Sequence, residues 1–143
     1  MGDKMLKSIK AIFIGLVILM GTIVVGGIVL MYTVFFPFAP KMPENLLVLI
    51  PSIAAGLLSG HYVALIAGRK EILHALIVVL LYIGWNVPAL MRTLASNVDE
   101  LIFNSIVNLF LVAISALIMA FRIYKKRAQQ RRPEDADTVG SGH

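Results

Sequence analysis

The sequence predicts an all-α polytopic membrane protein, an antiparallel bundle of four transmembrane helices with both termini in the cytoplasm. Three observations carry that prediction. Hydrophobic residues make up 59% of the 143-residue chain and charged residues 15%, with a mean hydropathy of +0.87, which is too apolar for a water-soluble globule. The apolar residues form four runs, at about 11–36, 46–67, 72–91 and 101–120, none of which contains an acid or a base. The bases collect on one side of the pattern that these runs define.

A helix rises about 1.5 Å per residue and a bilayer core is about 30 Å thick, so each run is long enough to cross once. The first, residues 11–36, is the longest and is expected to tilt. A signal peptide would share its basic start, but such a peptide has an apolar core of about 7–15 residues followed by an A-x-A-like cleavage site. This run is longer and no such site follows, so it reads as a retained span. An N-myristoylation pattern would need Ser or Thr where Leu6 stands. Pro37, Pro40 and Pro43 close the span and open an outer loop, because proline lacks the amide that would continue a helix.

The second span carries a small residue at every fourth position: Ser52, Gly56, Gly60, Ala64 and Gly68. Lipid tails are as apolar as leucine, so helices in a bilayer gain by close backbone contact, which small residues permit. The stripe is therefore expected to be a packing face for the first or third helix. Gly15, Gly21, Gly26 and Gly27 make the first the expected neighbour. The functional alternative is a groove for a second copy of the chain or for a partner membrane protein.

Between the second and third spans only Gly68, Arg69, Lys70 and Glu71 remain, enough for a tight hairpin of antiparallel neighbours. Glu71 suits the positive end of the helix that follows. In the third span Pro88 removes a backbone hydrogen bond to Gly84, and the resulting kink would suit a pocket toward the outside. Asn104, Asn108 and Ser115 share one face of the fourth span and should point into the bundle, with Asn86 at a depth that allows a hydrogen bond to Asn104. These groups read as interhelical hydrogen bonds of about 0.6 kcal/mol each. A small transporter or channel built on the same face is the rival reading.

His61 and His74 flank the hairpin. Proton relay, metal ligation and axial haem ligation each need partners that two histidines do not supply, so each is expected to bond a backbone carbonyl or water, with His74 near the hydrated headgroups. Glu71 and His74 form an E-x-x-H pair, but a di-iron bundle needs a second such pair and two further glutamates. Cysteine is absent, which excludes disulfides, thiolate metal sites and thiol nucleophiles. No cofactor, no metal and no catalysis are expected.

With an even number of spans the termini share a side. That side holds eleven bases, namely Lys4, Lys7 and Lys10, then Arg69 and Lys70, then Arg122, Lys125, Lys126, Arg127, Arg131 and Arg132. The other holds two, Lys41 and Arg92, so the positive-inside rule places both termini in the cytoplasm. Trp85, Tyr82 and Tyr32 are expected at the outer interface, and Phe121 and Tyr124 at the inner one. The chain thus divides into an N-terminal segment, 1–10, a transmembrane domain, 11–124, and a basic then acidic tail, 125–143, expected to be disordered beyond a short helical extension. The bases around Arg69, Lys70 and the tail anchor the topology and can meet anionic lipid headgroups. Nucleic acid is not an expected partner, since the basic run has no interleaved aromatics and no recognisable module.

The segment "GHYVALIAGR", residues 60–69, followed by "KEILHALIVVLL", resembles a recurrent stretch of small four-span bacterial membrane proteins of unknown function. In these a G-x-Y-V-A-x-x-A-G-R pattern ends the second helix and a charged, His-containing turn begins the third. The resemblance covers spans two and three and implies a bacterial cytoplasmic-membrane protein with no catalytic residues. It does not extend to the small multidrug exporters, which depend on a glutamate in the first helix; this helix has none. The sequence thus points to a non-catalytic accessory or helix–helix interaction protein.

Overall fold

The computed structural model describes residues 2–35, 44–68, 70–95 and 98–139, with side chains for 5–29, 31–32, 49–68, 70–95, 98–99 and 102–130. These form four helices: α1 (Gly2–Phe35), α2 (Glu44–Ala67), α3 (Glu71–Ala95) and α4 (Asp99–Val139). All four are long and apolar enough to cross a membrane. Pro37, Pro40, Pro43, Arg69, Ser96 and Asn97 lie outside the described residues.

Successive helices run antiparallel. Gly15 of α1 faces Val63 of α2 while Gly26 faces Pro51, so the two helices pass in opposite senses. Tyr82 shares a cluster with Leu109, and Glu71 meets Arg127, which sets α3 against α4 in the same way. α2 and α3 are the shared pair: α1 and α4 each pack on both, while the backbones of α1 and α4 do not approach one another closely among the described residues.

The turn between α2 and α3 is dictated by backbone sterics. Gly68 stands just past the end of α2 with φ +65° and Lys70 follows with φ 56°. The left-handed region favours glycine, which lacks the Cβ that collides there, and a glycine in this position ends a helix cleanly. Gly68 is therefore not part of a packing face: a Cβ built on it would meet nothing within 4 Å. The amide of His74 then bonds the Lys70 carbonyl at 3.2 Å, starting α3.

The interior is built of small side chains. Ala11, Ala55, Val63, Ala64, Ala75, Val78, Val112, Ala116 and Ala120 are buried, whereas Phe13, Trp85, Phe103, Phe110 and Ile118 are exposed. A water-soluble protein would do the reverse. In lipid no penalty attaches to outward bulk, and small interior residues let helix backbones approach. Trp85, Tyr32, Phe121 and Tyr124 are exposed, but Tyr82 is 4% exposed and packs with Leu19 and Val112. Tyr82 is thus a core residue and not a member of an interfacial belt.

The fourth helix also departs from expectation. The apolar run ends near residue 120, and the helical extension expected to be short continues to Val139, so that α4 is 41 residues in all. At about 1.5 Å per residue this is about 60 Å, twice a bilayer core. Residues 121–132 are rich in Arg, Lys, Ala and Gln, all good helix formers. Arg127 also ties the extension back onto α2 and α3. Residues 140–143 lie outside the described residues.

Candidate functional site

Polar chemistry within the bundle is concentrated at three levels, and the first is its basic end. α3 begins at Glu71, whose side chain is 4% exposed, and Arg127 on α4 reaches it with an ion pair of 2.9 Å. The same guanidinium donates from Nη1 to the Ala64 carbonyl at 3.0 Å and from Nη2 to the Leu65 carbonyl at 3.1 Å. Those carbonyls belong to the last turn of α2. One planar side chain thus joins the end of α2, the start of α3 and the extension of α4, a task suited to arginine's fixed fork of donors. The sequence reading missed this junction. Its signal was the isolated carboxylate of a four-residue hairpin that had to sit among the bases of α4.

The remaining bases at this end face outward. Lys7, Lys10, Lys70, Arg122, Lys125 and Lys126 are exposed. Arg69 and the side chains of Arg131 and Arg132 lie outside the described residues.

The second level is the thinned face of α2. A Cβ on Gly60 would lie 2.9 Å from both the carbonyl carbon and Cα of Ala116, and closer still to its oxygen. A Cβ on Gly56 would meet the Val112 carbonyl oxygen at 2.5 Å and collide with the Ser115 hydroxyl. The helix seated on Gly56 and Gly60 is therefore α4, not α1 or α3. Ser52 is buried, and Ala64 belongs to a core cluster with Ala75 and Ala120. α1 uses the adjacent face of α2 through its own glycine: Ser59 donates to the Gly15 carbonyl at 3.0 Å, and the side chain of Val63 fills the space that a Cβ on Gly15 would need. Four-residue spacing identified a face of α2 but not the neighbour, since both α1 and α4 offer small residues.

Ser115 donates back to the carbonyls of Leu111 at 2.7 Å and Val112 at 3.1 Å, so its hydroxyl serves its own helix at the point where Gly56 arrives. His74 is 7% exposed, not hydrated at a headgroup level as expected. Its Nδ1 lies 2.9 Å from the Lys70 carbonyl, and because a carbonyl only accepts, Nδ1 carries the proton. His61 does not join it. Its ring meets Tyr62 edge-on with centroids 5.6 Å apart, and its Nδ1 is buried without a hydrogen-bond partner. No group of three or more His, Cys, Asp or Glu side chains is placed to hold a metal among the described residues.

The third level lies between the far halves of α3 and α4. The Asn86 amide donates to the Tyr82 carbonyl at 2.8 Å, one turn back on its own helix, and not to Asn104. Asn86 and Asn108 nevertheless line one cavity of about 90 Å³, with Tyr82, Thr93 and Ser105 as its other polar members. Asn104 is not among its lining residues, so the asparagines of α4 divide: Asn108 faces α3 and Asn104 does not reach this space. The Oδ1 of Asn108 is buried and has no partner in the protein.

Comparison with known protein families, with curated proteins and with solved structures finds no match to this chain.

Proposed function

We propose that this is a multi-pass protein of a bacterial cytoplasmic membrane, with both termini inside, and that it serves without catalysis as an accessory or helix–helix interaction protein. The observation that carries the reading is the use to which the bundle puts its polar groups. Ser59 holds α1, and Arg127 joins three helices. His74 and Ser115 close the backbone of their own helices. These side chains serve to fix the chain's own helices, which is the make-up of a scaffold.

The exposed bases support the orientation, since they gather at the end where α2 hands over to α3. Each adds about 1 kcal/mol of attraction to an anionic leaflet, which makes lipid headgroups the first partner. Because α4 occupies Gly56 and Gly60, a second copy or a partner helix must be met on another face. The bacterial assignment rests on the resemblance at residues 60–69.

The absence of cysteine gives a clean background for testing orientation. With Asn97→Cys and Lys126→Cys, an impermeant maleimide applied to intact cells is expected to label the first and to spare the second until the membrane is opened; the opposite pattern overturns the orientation. For the role, purification from the native membrane is expected to recover a stoichiometric membrane partner. Recovery with lipid alone, together with solute flux in reconstituted vesicles, overturns it.

A further inference from the structure

We infer that the outward face of α2 around His61 is an interface for a second copy of this chain, oriented the same way in the membrane. The inference deepens the helix–helix interaction role proposed above and rests on it for the membrane setting.

The direction of His61 follows from helix geometry. Successive residues turn by about 100°, so residues two apart stand about 200° apart around the axis. Val63 is fully buried and fills the space beside Gly15, while Gly56 and Gly60 face α4 and Ala64 packs with Ala75. His61 therefore points almost directly away from the bundle, on a face with Ala54, Leu58 and Leu65. Leu58, Tyr62 and Leu65 are exposed, and His61 and Ala54 are half-buried. His61 stands about 9 Å inside the end of the span Leu49–Ala67. Ionisable side chains at such depth face a bundle interior or pair with one another, because hydrocarbon offers no hydrogen bond. An imidazole turned toward lipid thus marks a face that another helix covers.

The chemistry of the face says which helix. Nδ1 of His61 is buried without a partner; Nε2, also unbonded among the described residues, is open at the surface. A neutral imidazole has one donor and one acceptor, and an unpaired buried N–H is rarer than an unpaired acceptor, so the proton sits on Nε2. The adjacent Tyr62 ring meets His61 edge-on and is exposed, and its hydroxyl makes no hydrogen bond among the described residues. Each copy therefore presents an N–H donor and a hydroxyl acceptor one residue apart. Across a two-fold axis normal to the membrane two such faces stand at equal depth, so each His61 can donate to the Tyr62 of the other copy. The apolar residues are spaced for the same contact. Ala54, Leu58, His61 and Leu65 follow at steps of four, three and four residues, the seam of a two-stranded coil, and the one polar position sets its register.

The test uses the full chain, whose lack of cysteine leaves a clean background, in phosphatidylcholine–phosphatidylglycerol vesicles. Leu58→Cys is expected to form a disulfide-linked dimer on mild oxidation. Leu80→Cys, exposed and two residues from the buried Val78 of α3, points out of the bundle elsewhere and should not. Energy transfer between labelled copies, followed as the vesicles are diluted with lipid, is expected to fit a saturable dimer. His61→Leu and Tyr62→Phe should each weaken association about sevenfold, the loss of two average interhelical hydrogen bonds. The double variant should be no weaker than either, since both changes remove the same two bonds. Tyr62→Phe deletes only a hydroxyl and keeps the comparison decisive if His61→Leu does not fold. Transfer that follows random collision at every dilution, equal cross-linking of Leu58→Cys and Leu80→Cys, or unaltered association in Tyr62→Phe overturns the inference. A Leu58→Cys adduct to a different protein in the native membrane, with no self-adduct, overturns it too while leaving the interaction role in place.

Discussion

Replacing Gly60 by alanine adds one methyl group where the backbones of α2 and α4 meet most closely. That methyl would lie 2.9 Å from the Cα and carbonyl carbon of Ala116. Carbon atoms rest at about 3.5–4.0 Å, so α2 and α4 would have to part locally by about 0.6–1.1 Å. The obstructing atoms are backbone, which cannot swing aside as a long side chain can. Overpacking of this kind costs about 1–3 kcal/mol. Alanine is also the better helix former by about 0.8–1.0 kcal/mol, which offsets part of the cost and leaves a net destabilisation of about 0–2 kcal/mol. Gly84→Ala is the matched control, because a Cβ there meets nothing within 4 Å and the propensity gain is the same. The difference between the two variants isolates packing and should be about 1–3 kcal/mol, read by denaturing-detergent titration of the purified chain followed by circular dichroism. If Gly60→Ala unfolds no earlier than Gly84→Ala, α4 does not pack on α2 as described.

Two further predictions concern the polar junctions. Arg127→Met takes the ion-pair partner from a nearly buried Glu71 and is expected to destabilise the bundle by about 2–3 kcal/mol, somewhat under the usual cost of breaking a buried pair because Arg127 is 27% exposed. Adding Glu71→Gln to Arg127→Met should recover part of that loss. Arg127→Lys should not, since one ammonium cannot serve the carboxylate and both α2 carbonyls; an unchanged unfolding midpoint in Arg127→Met refutes the junction. Ser59→Ala deletes one interhelical hydrogen bond to Gly15 and should cost about 0.6 kcal/mol in the same titration. Ser59→Leu, at a position 1% exposed, should separate α1 from α2, which disulfide cross-linking between cysteines placed at Gly26 and Pro51 would report; undiminished cross-linking refutes that contact.

Much of the site was hidden for identifiable reasons. Asn86 and Asn108 were legible as intramembrane polar residues because each interrupts an apolar run, but their neighbours were not. Asn86 found a carbonyl on its own helix, an option open to any polar side chain one turn along, and the bond to Asn104 did not form. His74 likewise bonded within its own helix, so its position beside the hairpin did not bring it to His61. The stripe on α2 was legible as a run of small residues. Its last member was misread, because spacing alone does not say that Gly68 has left the helix to make the turn.

The four spans and their all-helical form were determined by the sequence alone, for a solvent reason. In hydrocarbon every backbone amide must be satisfied within its own segment, so about twenty uncharged apolar residues leave a helix as the available structure. Pairing was a tertiary decision. α1 offered glycines and α4 offered Ser115 and Ala116, and only the packed bundle seated α4 on Gly56 and Gly60 and gave α1 the face around Ser59. The span of Arg127 across three helices is of the same kind. Its partners are 56 to 63 residues away along the chain, a separation that local patterns do not register but that packing of α4 against α2 and α3 reduces to about 3 Å.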